Sequence, residues 1–235
     1  LLTVENGILH LDTLELTHHT HTNLSKILIP CAFITPKFDD IEGNLKDTLF
    51  WKYLKNSFTV KGKFIKEDFE TVLEVMASVF IKHQIDEKSV MFLGNGENGK
   101  SVCLDYVSSL IGKNNISHIP LHKLAEDKFA MAKLDGKLAN VFADLEKNEL
   151  RHTGCIKGIS SGEPCFVQNK GKDGFDLYPM CKLIFSTNKF PKVFDQTQGF
   201  FRRWIIIKWN RNFENDIDRI DNLKESLIDN KEEKN

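Results

Sequence analysis

The chain has 235 residues, of which 41% are hydrophobic and 28% charged, and its formal net charge is −1 at pH 7. These values exclude a globally disordered chain and a histone-like nucleic-acid binder coated with positive charge, although a local basic site stays compatible with them. At this length we expect one large domain or a core with a smaller appendage.

The cysteines and the apolar runs predict a reduced, intracellular protein. The five cysteines are odd in number and show no C-x-x-C spacing, which argues against a disulfide framework. No apolar run approaches the roughly 18 residues of a membrane span, and the N-terminus lacks the pattern of a signal peptide. Because the chain begins at Leu1 and ends in a polar tail, we expect a piece of a longer polypeptide.

Residues 1–62 are predicted to form a small N-terminal domain of short strands separated by turns. Asn6-Gly7 is a turn signal between the apolar stretches Leu2–Val4 and Ile8–Leu11. Four histidines cluster in this region, namely His10, His18, His19 and His21. Because no known ligand spacing joins them to a cysteine, we favour exposed or hydrogen-bonded histidines over a metal site.

Residues 63–210 have the pattern of an α/β core. Apolar residues at helical spacing over 64–84 predict a helix with one buried face, and Lys100–Ile111 is predicted to be a second helix, capped by Gly112. Four apolar strands alternate with helical segments, which favours a largely parallel sheet between helices. The predicted strands are Ser89–Leu93, Leu138–Ala143, Lys182–Ser186 and Trp204–Trp209. The polar region 211–235 is predicted to contain a helix around Ile217–Ile228.

The strongest functional signal is a motif between the first of these strands and the helix that follows. It matches G-x-x-x-x-G-K-[ST] in full, with Gly94, Asn95, Gly96, Glu97, Asn98, Gly99, Lys100 and Ser101. Glycines allow the backbone to wrap a phosphate, and the helix N-terminus adds the positive end of its dipole. Lys100 is placed to reach the β- and γ-phosphates and Ser101 to ligate Mg²⁺. The motif therefore predicts a site for ATP and Mg²⁺.

Two acids follow the second predicted strand. Asp144 and Glu146 are two positions apart, so in an extended chain both face the same side while Leu145 faces the core. We assign Asp144 to the Mg²⁺ shell, through water, and Glu146 to the attacking water. The alternative is an exposed acidic turn after a strand.

Polar and basic residues near the third and fourth strands complete the predicted catalytic set. Asn188 ends a strand and could orient water through its amide, although an ordinary turn residue is the favoured interpretation when it is taken alone. Arg202 and Arg203 precede the last apolar run, and arginine stabilises the charge of a transferring phosphoryl group, often across a subunit boundary. We favour Arg203 as this arginine finger, and Arg202 is the alternative.

The stretch from Phe166 to Phe175 predicts a β-hairpin, because apolar residues flank a turn rich in Asn, Gly and Lys. Lys170 and Lys172 would lie at its tip, where two lysines are usually only solvated. From Phe166 to Lys192 the chain carries five lysines and two aspartates, a local positive charge that the net charge of −1 hides.

Taken in order, these motifs resemble the superfamily 3 helicases, a branch of the AAA+ ATPases, and in particular the helicase part of primase–helicase replication proteins of plasmids, phages and large DNA viruses. The resemblance covers residues 64–210 most strongly, and residues 6–12 look like the small domain that precedes the ATPase. Its carrying segments are 94–101, 144–146, 156–163, 183–191 and 199–204. The chain departs from the family at Leu145, which separates the two acids, and at Glu163, where the family often has Asp.

The resemblance implies an ATP-driven helicase or translocase that unwinds DNA during replication of a plasmid or virus. It implies a P-loop AAA+ core with a β-hairpin insertion, assembled as a homo-oligomer, most often a hexamer, with ATP hydrolysed between subunits. In this family the hairpin lines a central channel, so Lys170 and Lys172 would bind single-stranded DNA. A primase module in the same full-length polypeptide is also implied, and the C-terminal region 211–235 would then be truncated.

Two other functions remain open at this point. A P-loop kinase would need an acceptor pocket and a lid, for which the sequence shows no signature. An ATP-bound initiator or assembly module would change its oligomeric state without unwinding DNA. ATPase rates with and without single-stranded DNA, together with the mass in solution, separate the three.

Overall fold

The computed structural model describes residues 1–35, 45–84, 86–143, 150–230 and 234. Helices and strands alternate through the middle of the chain, as the sequence pattern predicts. The strands are β1 Leu2–Val4, β2 Gly7–Leu9, β3 Leu16–Thr17, β4 Thr59–Val60, β5 Lys63–Phe64, β6 Ser89–Leu93, β7 Ile116–Ser117, β8 Ala139–Phe142, β9 Cys165–Gln168, β10 Gly174–Leu177, β11 Lys182–Thr187 and β12 Trp204–Lys208. The α-helices are α1 Leu49–Ser57, α2 Lys66–Ser78, α3 Lys100–Ile111, α4 Leu121–Glu126, α5 Lys128–Met131, α6 Gly154–Ser161, α7 Gln198–Phe201 and α8 Leu223–Ile228.

Five strands among the described residues form one parallel sheet in the order β12-β6-β11-β8-β7. This confirms the predicted α/β class, and all four predicted strands are present. The sequence prediction did not include β7, because two residues are too few for a periodic pattern. β6 is not an outer strand, because it lies between β11 and β12, and the motif that follows it therefore has a neighbouring strand on each side.

The two faces of the sheet are buried under different groups of helices. Side chains of β6 alternate, so Val90 and Phe92 enter one apolar cluster while Met91 enters the other. The first cluster includes residues of α1, α2 and α3, and the second includes residues of α4 and α6. Both faces are therefore covered by helices, as a parallel sheet requires.

The N-terminal segment packs into the first of these clusters. Leu2 and Leu9, from the small antiparallel sheet β1-β2-β3, share that cluster with Leu104 of α3. The apolar core is thus continuous across residue 62, where the sequence analysis places a domain boundary. The division into residues 1–62, 63–210 and 211–235 stays a prediction.

The helix expected around Ile217–Ile228 is shorter than predicted. Only Leu223–Ile228 is helical, and the residues before it form turns. Asn222 precedes the helix in a left-handed conformation with φ of 53°, which a continuous helix does not allow. The helix predicted over 64–84 is likewise confined to Lys66–Ser78.

None of the helices in the described part of the chain is long and apolar enough to cross a membrane. The same residues contain no group of three or more His, Cys, Asp or Glu that could hold a metal ion.

Candidate nucleotide-binding site

The predicted phosphate loop connects the end of β6 at Leu93 to the start of α3 at Lys100. Two positions require glycine. At Gly94 a Cβ atom would collide with the carbonyl oxygen of Trp209, and Gly99 has a left-handed φ of 88°. A Cβ atom at Gly96 would meet nothing within 4 Å, so the loop backbone is open to solvent there. An open, glycine-containing turn at a helix N-terminus fits the approach of a phosphate group.

Side chains of the motif hold this loop in shape. The Asn98 amide donates to the carbonyl oxygens of Asn95, at 2.6 Å, and Trp209, at 3.1 Å. The Lys100 ammonium donates to the Gly94 carbonyl at 2.5 Å and to the Asn98 side-chain oxygen at 3.0 Å. Lys100 is only 6% exposed, and its ammonium group lies against the loop. A phosphate entering the loop would offer this lysine a stronger, charge-assisted partner.

Two segments outside the motif pack against the loop. The Tyr53 hydroxyl of α1 donates to the Gly99 carbonyl at 2.7 Å, and the Phe213 amide donates to the Glu97 carbonyl at 2.7 Å. Arg211 joins the two segments, because its guanidinium donates to the Asn56 carbonyl at 2.9 Å. The two residues of each contact are 46 or more positions apart in sequence, and no local motif predicts such pairs.

Arg211 also shapes the segment after β12. It makes a bidentate pair with Asp216, with both distances at 2.7 Å, and its guanidinium lowers the pKa of that carboxyl to about 2. Arg211 is itself largely buried, with 13% of its side chain exposed. Charge-assisted hydrogen bonds of Arg211 therefore hold this segment together and tie it to α1, while the Trp209 carbonyl and the Phe213 amide bond it to the phosphate loop.

The parallel sheet brings Asn188 to the phosphate loop. Asn188 follows β11, which pairs with β6 so that Thr187 lies beside Leu93, and the Gly94 amide donates to the Thr187 carbonyl at 3.2 Å. Asn188 is exposed and, with Gly94, lines a cleft of about 320 Å³. Ser101 is exposed in the first turn of α3. Asp144 and Glu146 lie outside the described residues.

A second cavity, of about 310 Å³, is lined by residues of α1, of the loop, of α3 and of the C-terminal segment. Its lining is partly apolar, with aromatic and aliphatic side chains. They include Tyr53, Val102, Phe213, Ile220 and Leu223. A partly apolar cavity next to a phosphate-binding turn fits the base of a nucleotide.

The arginine pair lies at the amino ends of the parallel strands, whereas the loop lies at their carboxyl ends. Arg202 and Arg203 precede β12, whose first residue pairs with Ser89 at the start of β6, whereas the loop follows the end of β6. Five residues of strand separate the two edges by about 16 Å. The structure therefore does not bring either arginine to the phosphate loop of its own chain.

The two arginines differ in their surroundings. Arg203 is 13% exposed and donates to the Gly199 carbonyl at 2.6 Å and the Ser161 hydroxyl at 3.0 Å. Arg202 is 58% exposed, and its side chain pairs with Glu87 at 3.1 Å. Arg202 is thus the arginine whose guanidinium is accessible to another molecule.

The predicted β-hairpin is confirmed, with β9 and β10 paired antiparallel and the two lysines exposed at its tip, Lys170 and Lys172. The Gln168 side chain donates to the Lys172 carbonyl at 3.0 Å, and this bond closes the turn. The Phe166 ring covers Gly174 on the opposite strand, and Val167 is buried in the core. The hairpin is therefore a defined projection whose base is anchored and whose tip carries two positive charges.

A polar junction that the sequence analysis did not identify connects α6 to the loop before α7. The Asp195 carboxylate accepts hydrogen bonds from the hydroxyls of Thr153 and Thr197, each at 2.5 Å, and from the Lys157 ammonium at 2.9 Å. These bonds lower the pKa of the Asp195 carboxyl well below its usual value. The junction fixes the segment that leads to the arginine pair.

The lowered pKa makes the contribution of Asp195 to stability depend on pH. The contribution is present above the carboxyl's unfolded pKa, near 3.9, and is lost as the pH falls toward the folded value. Asp195→Asn should lower the urea midpoint at pH 7, and the difference from wild type should shrink below about pH 4. The control is Asp173→Asn at the exposed hairpin tip, which should change little. A difference that stays constant to the lowest pH at which the wild type is folded would contradict this account.

Comparisons with known proteins agree with this fold and give a first indication of function. The model of a family of unknown function, DUF5906, matches residues 92–203. "Putative helicase 121R" of Invertebrate iridescent virus 3 is 24% identical over 223 residues, which is 91% of this chain and 23% of that protein. "Putative helicase 184R" of Invertebrate iridescent virus 6 is 25% identical over 167 residues, which is 66% of this chain and 17% of that protein. The chain thus spans less than a quarter of the length of either relative.

Solved structures share the fold. Two apo structures of the NrS-1 C-terminal region superpose with TM-scores of 0.62 and 0.60, at 14% sequence identity. The alignments cover 87% and 88% of this chain and 46% of each NrS-1 chain. At this identity the likeness shows the arrangement of the chain alone. The chain is therefore similar in sequence to viral proteins named as helicases and in fold to the NrS-1 C-terminal region.

Proposed function

We propose that this chain is the ATP-hydrolysing domain of a DNA helicase of superfamily 3, which acts as a ring, most simply a hexamer, in the replication of a virus or plasmid. The observation that carries the proposal is the phosphate loop, which opens a helix at the carboxyl edge of a parallel sheet and has a buried lysine, Lys100, against it. The names of the two iridescent virus relatives support the choice of a helicase over other proteins with this loop.

The triphosphate of ATP would lie over the phosphate loop. The loop amides and Lys100 would bind the β- and γ-phosphates, and the base would occupy the cavity between α1 and the C-terminal segment. Mg²⁺ would be held by the Ser101 hydroxyl and, through water, by Asp144. When bound, the ion would supply positive charge that offsets the negative charge of the phosphates.

Hydrolysis requires a water molecule in line with the γ-phosphate. We assign its polarisation to Glu146 and its orientation to the Asn188 amide, which reaches the cleft beside Gly94. The assignment of Asp144 to the Mg²⁺ shell and of Glu146 to the water is likewise proposed.

The arginine that completes the site would come from a neighbouring copy of the chain. Since the arginine pair and the phosphate loop lie at opposite edges of one sheet, a ring with a head-to-tail interface would place the arginines of one copy near the loop of the next. Although the sequence favours Arg203, we assign the finger to Arg202, because its side chain is 58% exposed. The Arg203 side chain is only 13% exposed and donates to Gly199 and Ser161, and both arginines contact Glu87 of their own chain.

The hairpin would contact DNA. A ring would gather the exposed Lys170 and Lys172 of every copy around one axis, where they would bind the phosphates of a single strand without reading its sequence. A chain with a net charge of −1 can thus still present a concentrated positive charge to DNA.

Lys100→Ala should abolish ATP hydrolysis, because it removes the ammonium that binds the β- and γ-phosphates. The measurement is phosphate release with and without single-stranded DNA, alongside the mass in solution by light scattering. Lys113→Ala, an exposed lysine just beyond α3, is the matched control and should hydrolyse ATP at the wild-type rate. Wild-type hydrolysis by Lys100→Ala would overturn the assignment of the site, and transfer of phosphate to a nucleoside without stimulation by DNA would indicate a kinase.

Lys170→Ala combined with Lys172→Ala should leave basal ATP hydrolysis intact but uncouple it from unwinding. The changes lie at the exposed tip, away from the phosphate loop, and remove the charges that would hold the strand. Unwinding of a forked duplex and stimulation of the ATPase by single-stranded DNA are measured together. Lys26→Ala with Lys113→Ala removes the same charge from exposed positions elsewhere and is the control. Wild-type unwinding by the hairpin variant would exclude a channel role.

A mixture of two inactive variants should recover activity if Arg202 acts on the neighbouring copy. Arg202→Ala keeps an intact phosphate loop, and Lys100→Ala keeps an intact arginine, so sites that combine them are complete. Each variant alone should be nearly inactive, whereas mixed oligomers should hydrolyse ATP. Arg203→Ala is the contrast and should lower the urea midpoint, because it breaks partly buried hydrogen bonds. No recovery in a mixture of verified mass would show that Arg202 does not act in trans.

A further inference from the structure

Tyr53 of α1 touches the phosphate loop from outside the motif. Its hydroxyl donates to the Gly99 carbonyl at 2.7 Å, and a Cβ atom added to Gly99 would lie 2.9 Å from its ring. Gly99 is the last residue before Lys100, so this contact is made to the peptide group that joins the loop to α3. The same carbonyl accepts the first helical bond, from the Cys103 amide at 3.1 Å.

The planarity of this peptide group converts that contact into a constraint on the loop. In a trans peptide the C=O and N–H bonds point in opposite directions, and the described chain contains no cis peptide bonds. Because the Gly99 carbonyl is held toward α1 and the axis of α3, the Lys100 amide hydrogen must point the other way. That direction is the start of the helix, where the motif would bind phosphate.

The tyrosine is itself held rigidly. Tyr53 is 2% exposed, its ring packs 5.9 Å from Phe50 and 6.5 Å from Trp209 between centroids, and Trp209 also closes the loop through Asn98. Burial raises the pKa of the Tyr53 hydroxyl well above its ordinary value, so the group stays protonated even in alkaline solution.

We infer that Tyr53 is a positioning residue for the phosphate loop, whose hydroxyl fixes the Gly99–Lys100 peptide with the Lys100 amide hydrogen aimed at the β-phosphate of the nucleotide. This inference rests on the proposed function. It assigns a role in nucleotide binding to the segment that precedes the core, since α1 lies within residues 1–62.

The test compares ADP with AMP, which lacks the β-phosphate, by isothermal titration with wild type and Tyr53→Phe. Phe keeps the ring and removes one hydroxyl, and the Cys103 amide still satisfies the Gly99 carbonyl. Loss of one such hydrogen bond should reduce the ratio of the AMP to the ADP dissociation constant about three- to tenfold. Tyr178→Phe, which removes a hydroxyl at an exposed position, should leave the ratio unchanged.

The outcomes separate this inference from the proposed function. If wild type binds ADP more tightly than AMP and Tyr53→Phe keeps the same ratio, Tyr53 does not position the loop, although the nucleotide site stands. If Tyr53→Phe raises both dissociation constants by the same factor, the ratio is again unchanged. Tyr53 then contributes to the packing of the cavity, and the inference is overturned. If wild type does not distinguish ADP from AMP, the proposed function and the inference fail together.

A second measurement does not depend on the folding of a variant. In the wild-type protein, ADP should slow hydrogen exchange at the Lys100 amide and AMP should not, because the β-phosphate would accept that hydrogen. Equal exchange with the two nucleotides would contradict the proposed direction of the amide.

Discussion

The common direction of the five strands in the main sheet is the constraint on which the rest of the molecule depends. It gives the sheet two chemically different edges. The phosphate loop and Asn188 follow the carboxyl ends of β6 and β11, while the arginine pair precedes the amino end of β12. An antiparallel β12 would place those arginines beside the loop of their own chain. The parallel arrangement separates them, so an arginine of this pair could reach a phosphate loop only on a second copy.

Much of the fold follows from local patterns in the sequence. The apolar runs predict the four longer strands of the sheet, and the glycine–lysine motif predicts the loop that joins β6 to α3. These patterns work because burial on both faces of a parallel sheet demands an apolar run, and because a turn that wraps phosphate demands glycine. The turn between the hairpin strands is predictable because residues that favour turns lie between two apolar stretches.

The contacts that support the site could not be predicted in this way. Asp195 and its partner Lys157 are 38 positions apart, and the hydroxyl of Tyr53 is 46 positions from the carbonyl that accepts its hydrogen bond. No spacing rule connects such residues, because their distance depends on how whole elements pack. The helix over Ile217–Ile228 was overestimated for a related reason. Its apolar spacing suits a helix, but Arg211 pairs with Asp218 inside the predicted range, and the chain forms turns up to Asn222.

The strand β12 has a mechanical consequence. Arg203, just before it, is bonded to α6, and Trp209, just after it, accepts a hydrogen bond from Asn98 in the phosphate loop. Between these points every residue of β12 is paired with β6. A paired, extended strand changes its length little, so its two ends, one at each end of the parallel strands, keep a nearly fixed separation. A displacement of β12 along its axis at the arginine end would therefore also move Trp209, whose carbonyl accepts the hydrogen bond from Asn98 in the phosphate loop.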